Sequence, residues 1–434
     1  MKKYLCHILI IVMVFMLFAC NTEGNASSST GNSGAAADVT DFYGMERTTG
    51  PVELLIWLDG EAWVTELIQA FMAHHPNVSF RFQEMSNVGS RGYMLLDGPA
   101  GLGADVFAFP HDDVVYTISD GLVEPVPELL QEKWERELVD SAVATVTHEG
   151  RMYAVPFQTE NIALFYNKDL WGETPPETWE EVFEFALSYN NPATGDWTMT
   201  WDVGNAYVNY IWLTTAGMQL FGPNMDNYRQ PNFDSPEAAR GIEIFLSMRR
   251  LFDQPFDEMN FNTHDERFRI GEIPLSITGP WAIPSIIENG VNFGVARIPT
   301  YEGVQPVAFS GNIIAGVSSY SSAVNRPWAY AFIDFMVSEE GAAIMYNMRN
   351  TMTTRRDISN IPGLSDDAYL KGIAEQTPFT VPMPTIPQVS QMWGPLGELF
   401  AFTWDGTMSI AEVQSRAMDS YRLLLSVAEF DIDF

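Results

Sequence analysis

The run Val52-Glu53-Leu54-Leu55-Ile56-Trp57 is apolar at nearly every position, which is the pattern of a buried strand. Over residues 62–73, Leu67, Ile68 and Phe71 fall at helical spacing on one face. Residues 78–82 then alternate apolar and polar, so the stretch reads β-α-β, with His74-His75 closing the helix before Pro76. A glycine-rich turn at 98–103 leads into a third apolar strand, Ala104-Asp105-Val106-Phe107-Ala108-Phe109; no Lys-Ser/Thr follows it and no G-x-G-x-x-G fits, so it is read as a tight turn and not a phosphate loop. Farther on, Thr178 with Glu181 makes a capping box after Pro175-Pro176. Ser235 precedes Pro236 as N-cap and first helical residue, and Ser409 with Glu412 boxes a last helix. Asn325 is expected to cap one helix running to about Tyr346. Strands and helices alternate along the chain, which predicts an α/β fold with largely parallel sheets and no solenoid repeat.

The N-terminal pattern is different in kind. Lys2 and Lys3 precede an apolar run from Ile8 through Ala19 that stops at Cys20. A basic start, a short apolar core and a small residue before the cut describe a secretory signal. The core is shorter than the roughly 20 residues of a comfortable membrane span. Leu17-Phe18-Ala19-Cys20 resembles the lipobox of bacterial lipoproteins, although Phe18 stands where that box prefers a small or β-branched residue. The expectation is a signal peptide over 1–19, a lipid on Cys20 that holds the protein to the outer side of a bacterial membrane, and a flexible tether over 20–47. The tether reading rests on residues 21–40, mostly Ser, Gly, Asn, Ala and Thr, too small and polar to build a core. The only cysteines are Cys6 and Cys20, so the folded part is expected to stand without disulfides.

Composition narrows the function classes. A chain of 434 residues has room for two domains. Its 56 acidic against 23 basic residues, a formal net charge of −33, repel phosphate backbones and argue against nucleic acid. There is no G-x-S-x-G elbow, C-x-x-C, P-loop or H-E-x-x-H, and adjacent His74 and His75 do not share a helix face, so no catalytic residue, metal site or cofactor is expected. Twelve tryptophans and 13% aromatics point toward carbohydrate, whose pyranose rings present flat C–H faces.

Six segments stand in the order and spacing of the extracellular solute-binding proteins typified by the maltodextrin binders. They are VELLIWLDG from Val52, ADVFAFPHD from Ala104, MYAVPFQTENIALFYNKDL from Met152, PETWEEV from Pro176, FRIGEIPLSITGPW from Phe268 and TIPQVSQMW from Thr385. The chain resembles this family from about residue 50 to its end. The resemblance implies a two-lobed periplasmic-binding-protein fold with interwoven lobes and a hinge, one lobe at 48–157 plus 312–365 and the other at 160–305 plus 370–434. It further implies a monomer that captures an oligosaccharide between the lobes and delivers it to the permease subunits of an ABC importer.

The residues that carry over are aromatic platforms and carboxylates. Tyr207, Trp281 and Trp393 match stacking positions of the family, while Phe109 and Tyr210 stand where tryptophans are usual. Asp112 and Glu160 match carboxylates that accept sugar hydroxyls, and Glu61 replaces a similar aspartate. Asp59, Trp63, Asp113 and Asn205 are further candidates; Asp113 stands in place of an arginine and Asn205 in place of a glutamate. Ala62 replaces a lysine, and Gly394 and Gly397 replace a tyrosine and an arginine, which is expected to open room for a sugar other than maltose. Two rivals stay open: a binding protein for a non-sugar solute such as a peptide or polyamine, and a secreted glycosidase working with two carboxylates.

Overall fold

The computed structural model describes residues 39–256 and 266–432; the candidate signal segment, Cys20 and the tether before residue 39 lie outside the described residues. Strand Val52–Leu58 runs parallel to Val78–Glu84 on one side and to Val106–Pro110 on the other. Helix Glu61–His74 joins the first two strands and buries Trp63, Val64, Leu67 and Phe71. Gly60 turns the chain into this helix at φ +93°, and a Cβ there would lie 2.8 Å from the Trp63 indole nitrogen, so both conformation and space call for glycine.

The rest of this seven-stranded sheet comes from far along the chain. The long strand Ala308–Val317 lies antiparallel to Val106–Pro110 and, on its other side, to Val155–Asn161. Met352–Thr353 closes that edge, and Thr380–Pro382 runs parallel to the start of the long strand. A second sheet, ordered Leu275–Thr278, Ala163–Asn167, Phe293–Ala296, is antiparallel throughout. The expectation of largely parallel sheets is therefore corrected. Among the described strands, parallel ladders are confined to the opening β-α-β-α-β stretch and Thr380–Pro382, with isolated parallel bridges at Thr178–Thr300 and Met199–Leu275, because the long strand enters from the opposite core and so runs against its neighbours.

The apolar residues explain this crossing. One core holds Leu54, Ile56, Phe107, Trp134 and Phe332 around the seven-stranded sheet. Another holds Trp179, Trp212, Phe245, Trp404 and Tyr421 among the helices that follow Ala163. Ala308 and Phe309 pack in the second core, whereas Ile313 to Val317 pack in the first, so a single strand is anchored at both ends. Strand Val155–Asn161 likewise leaves the first sheet and continues as Ala163–Asn167 in the second. Its register against the long strand slips between Ile313 and Ile314, opposite Gln158 and Pro156, a bulge that bends the pair between the cores. A third, smaller cluster packs Phe165, Phe268 and Phe293 with Tyr346, Ile361 and Leu370.

Local signals in the sequence appear largely where they were read. Thr178 with Glu181 and Ser409 with Glu412 form complete capping boxes, and Ser235 accepts from the Ala238 N–H ahead of Pro236. The helix expected from Asn325 to Tyr346 is instead two, Arg326–Met336 and Glu339–Arg349. Ser338 caps the second by accepting from Gly341 N–H, and the Asn325 side chain does not cap the first but bonds the Glu53 carbonyl and Asp105. Residues 39–47, read as the end of the tether, form with Thr48 a hairpin of Val39–Phe42 and Met45–Thr48. Phe42, Tyr43 and Met45 supply the apolar side chains that residues 21–38 lack and rest on the first core, and the Trp328 indole N–H donates to the Thr48 carbonyl at 3.0 Å.

Candidate functional site

Segments distant in sequence meet where the two cores face each other. Asp112 sits in the single turn His111–Asp113 that follows strand Val106–Pro110. Its Oδ2 accepts the Trp393 indole N–H at 3.0 Å, a bond between residues 281 positions apart, while its Oδ1 is buried with no hydrogen-bond partner. Burial pushes the Asp112 carboxyl up to about 6, against the opposing pull of the indole bond. Asp113 is also raised to about 6, by burial and then by the charge of Asp112, with Arg91 opposing. His111 ties the same turn down: its Nδ1 accepts from Asn312 N–H at 3.0 Å and its Nε2 donates to the Met383 carbonyl at 3.2 Å. Burial holds its pKa down at about 4, which keeps the ring neutral in this role.

Glu160 stands near the end of strand Val155–Asn161, opposite Gly311 of the long strand. It accepts from the Gln158 side chain, and burial pushes it up to about 7, with Arg349 opposing and Asp59 adding to the rise. Arg349, at the end of helix Glu339–Arg349, donates through Nη1 to the Asp59 carbonyl at 2.9 Å, and its Nη2 lies 3.8 Å from Asp59 Oδ2. No sequence signal pointed to Arg349, because its partner lies 290 residues away.

The opposing wall comes from helix Ala206–Thr215. Asn205 is its N-cap and accepts from the N–H groups of Tyr207 and Val208, which fixes the first turn and with it the Tyr207 ring. The Tyr207 hydroxyl donates to the Phe309 carbonyl at 3.4 Å. Burial, then Glu160 and Asp112, push its phenol well above the usual range, so both carboxyls lie within electrostatic reach of this ring. Trp281 is partly exposed and folds back over Gly279, where a Cβ would lie 2.2 Å from the ring. Beneath it is a hollow of about 50 Å³ that Asn205 and Tyr207 also line. Two residues before Trp393, Gln391 donates to the Tyr116 hydroxyl at 3.1 Å.

Asp112, Glu160, Tyr207, Trp281 and Trp393 thus converge, with Asp59, Asp113 and Asn205 beside them. Three candidates do not belong to this surface. Phe109 is fully buried and stacks on Phe107 at 5.1 Å, because both faces of its strand are covered. Tyr210 lies one turn deeper than Tyr207, is 2% exposed, and stacks face to face on Phe309 at 3.9 Å. Trp63 is buried, and its indole N–H donates to the Asp59 carbonyl at 2.7 Å. Glu61 is exposed in the first turn of its helix. Of the two glycines read as opening room, Gly394 has nothing within 4 Å of a Cβ, but a Cβ on Gly397 would stand 3.1 Å from the Gly204 carbonyl oxygen, so Gly397 serves packing. Among the described residues no group of His, Cys, Asp and Glu is arranged to hold a metal ion, and no helix is long and apolar enough to cross a membrane.

Comparison with known proteins gives the same fold and the family. The maltotriose-binding protein of Thermus thermophilus superposes with a TM-score of 0.77 at 22% identity, over 86% of this chain and 100% of that one. A cyclo/maltodextrin-binding protein complexed with maltotetraose superposes with a TM-score of 0.72 at 24% identity, over 86% and 97%. Both likenesses establish the two-lobed α/β periplasmic-binding-protein fold expected from the sequence. In sequence, the chain is 26% identical to the maltotriose-binding protein of Pyrococcus abyssi over 80% of this chain and 77% of that protein. It is 24% identical to the galactooligosaccharide-binding protein of Bacillus subtilis over 91% and 90%. The family profile described as bacterial extracellular solute-binding protein matches residues 66–372, and the chain belongs to that family.

Proposed function

We propose that this protein is the extracytoplasmic capture subunit of an ABC importer for an oligosaccharide, held to the membrane by a lipid on Cys20 after removal of residues 1–19. The observation that carries the reading is the convergence of Tyr207, Trp281 and Trp393 with the carboxyls of Asp112 and Glu160 between two cores. Aromatic faces accept the C–H faces of a pyranose, and carboxylates accept its equatorial hydroxyls. The relatives named for maltotriose and galactooligosaccharide support a saccharide built of hexoses. We place one lobe at 48–157 plus 312–365 and the other at 160–305 plus 370–434, working as a monomer. The helix Glu339–Arg349 lies at their junction, since Met345 packs in the first core while Ala342 and Tyr346 join the third cluster.

The hollow under Trp281, about 50 Å³ and lined from the second lobe alone, is well below the roughly 300 Å³ of a small-molecule site, so it takes only part of a sugar and the rest lies in the cleft between the lobes. Binding then stabilises the closed arrangement, which is what a permease would read. No hydrolysis is expected, because a binder gains from holding the ground state. Thermal unfolding against maltodextrins, β-linked oligosaccharides, peptides and polyamines tests the reading. A saccharide should raise the midpoint with concentration, by an amount that follows its affinity. Trp281→Ala should remove that rise and leave the ligand-free midpoint within a few degrees. A rise with a peptide or polyamine alone, or release of reducing sugar, would replace the reading with one of its rivals.

A further inference from the structure

The hollow beneath Trp281 has a chemical character of its own. Thr200 and Thr278 line it, are 0% and 4% exposed, and each has a hydroxyl oxygen that is buried without a hydrogen-bond partner. A buried polar group left unpaired is destabilising, and two in one cavity mark a place prepared for a partner. Asp202 lines the same hollow; one of its oxygens accepts from Gly204 N–H at 3.1 Å, and burial raises its carboxyl. A water needs about 10–15 Å³ of such space, so a hollow of about 50 Å³ takes a few heavy atoms and no ring. Tyr207 and Trp281 flank it, the two aromatic faces against which a pyranose would lie.

A ring lying on those faces presents its secondary hydroxyls around its equator. Only the exocyclic hydroxymethyl arm of a hexose projects beyond the ring with a donor and an acceptor at its tip. We infer that the hollow receives this arm, with the hydroxyls of Thr200 and Thr278 as its partners, and that the protein thereby selects oligosaccharides built of hexoses over those built of pentoses. The inference rests on the sugar reading above and adds its specificity. A site whose buried polar groups lose their partner discriminates strongly against the analogue that lacks it.

Two matched pairs of probes isolate the arm: maltotriose with its 6,6′,6″-trideoxy analogue, and cellotriose with xylotriose. In calorimetric titration the hexose sugar of the pair that binds should exceed its counterpart by about tenfold or more. Thr200→Val with Thr278→Val should weaken the hexose sugar, leave the counterpart unchanged and bring the ratio near one, while Thr278→Ser keeps the ratio. Retention of the ligand-free melting midpoint separates this from a folding defect, and the single Thr278→Val variant serves if the pair does not fold. Equal affinities in the unaltered protein, or a ratio that survives removal of the hydroxyls, would make the hollow a water site and overturn the inference alone. Failure of every saccharide to bind would overturn the sugar reading with it.

Discussion

Asp112 shows how one residue holds two meanings that the sequence could not separate. As a string, Asp112-Asp113 is a solvated loop pair; in the fold, Asp112 is buried, bonded to the Trp393 indole and raised to about 6 from its ordinary 3.8. A carboxyl raised on folding holds its proton more tightly in the folded state, so the folded state loses stability as pH rises from about 4 to about 6 and stays at the lower level above. Asp112→Asn keeps an oxygen for the indole and removes this loss. The variant should melt at the same temperature as the unaltered protein near pH 4 and higher by a few degrees at pH 7, a gap of order 2–3 kcal/mol from a shift of about two units. Melting curves across that range check it, and a gap independent of pH would show that the carboxyl is well solvated. The same substitution should weaken sugar binding, because the free Oδ1 is then no longer part of a charged acceptor. Phe109 and Tyr210 mark the reverse case, in which the right residue type at a family position is drawn into the core by a neighbour, Phe107 or Phe309, that no local pattern identifies.

Elements were legible in proportion to how locally they are determined. Thr178 with Glu181 and Ser409 with Glu412 cap their helices through bonds spanning three residues, so the sequence announces them. The break at Val337 carries a local signal, Ser338 ahead of Glu339 and Glu340, but helix-forming residues on both sides of it make the stretch from Asn325 to Tyr346 read as one helix. Packing between elements is less visible still. Helix Ala368–Gln376 lies so close to strand Phe293–Ala296 that a Cβ on Gly372 would stand 2.1 Å from the Val295 carbonyl oxygen. Gly372→Ala must push the helix off the sheet and should destabilise the protein by about 1–3 kcal/mol or more, despite the better helix propensity of alanine. Chemical denaturation checks this; a neutral or stabilising result would mean that the helix can shift without loss.

At the scale of the whole molecule, 56 acidic residues against 23 basic ones repel one another in the compact state. Added salt screens this repulsion, so the melting midpoint should climb between about 10 mM and 0.5 M sodium chloride and level off as the Debye length falls below about 5 Å. A midpoint that falls over this range would show that specific ion pairs outweigh the general repulsion. The crossing strands set the working geometry: Val155–Asn161 and Ala308–Val317 pass between the cores side by side, with their bulge at Ile313 and Ile314. The alternation of strands and helices, the caps, the acidic balance, the secretory pattern at the N-terminus and the six ordered segments follow from residues near one another in the chain, and these determined the fold class and family. Which aromatic rings face the cleft, that Arg349 reaches Asp59, and that Thr200 and Thr278 leave their hydroxyls unpaired in one hollow were decided by the tertiary structure alone. Burial and pairing at those positions depend on neighbours contributed from hundreds of residues away, and local periodicity carries no record of them.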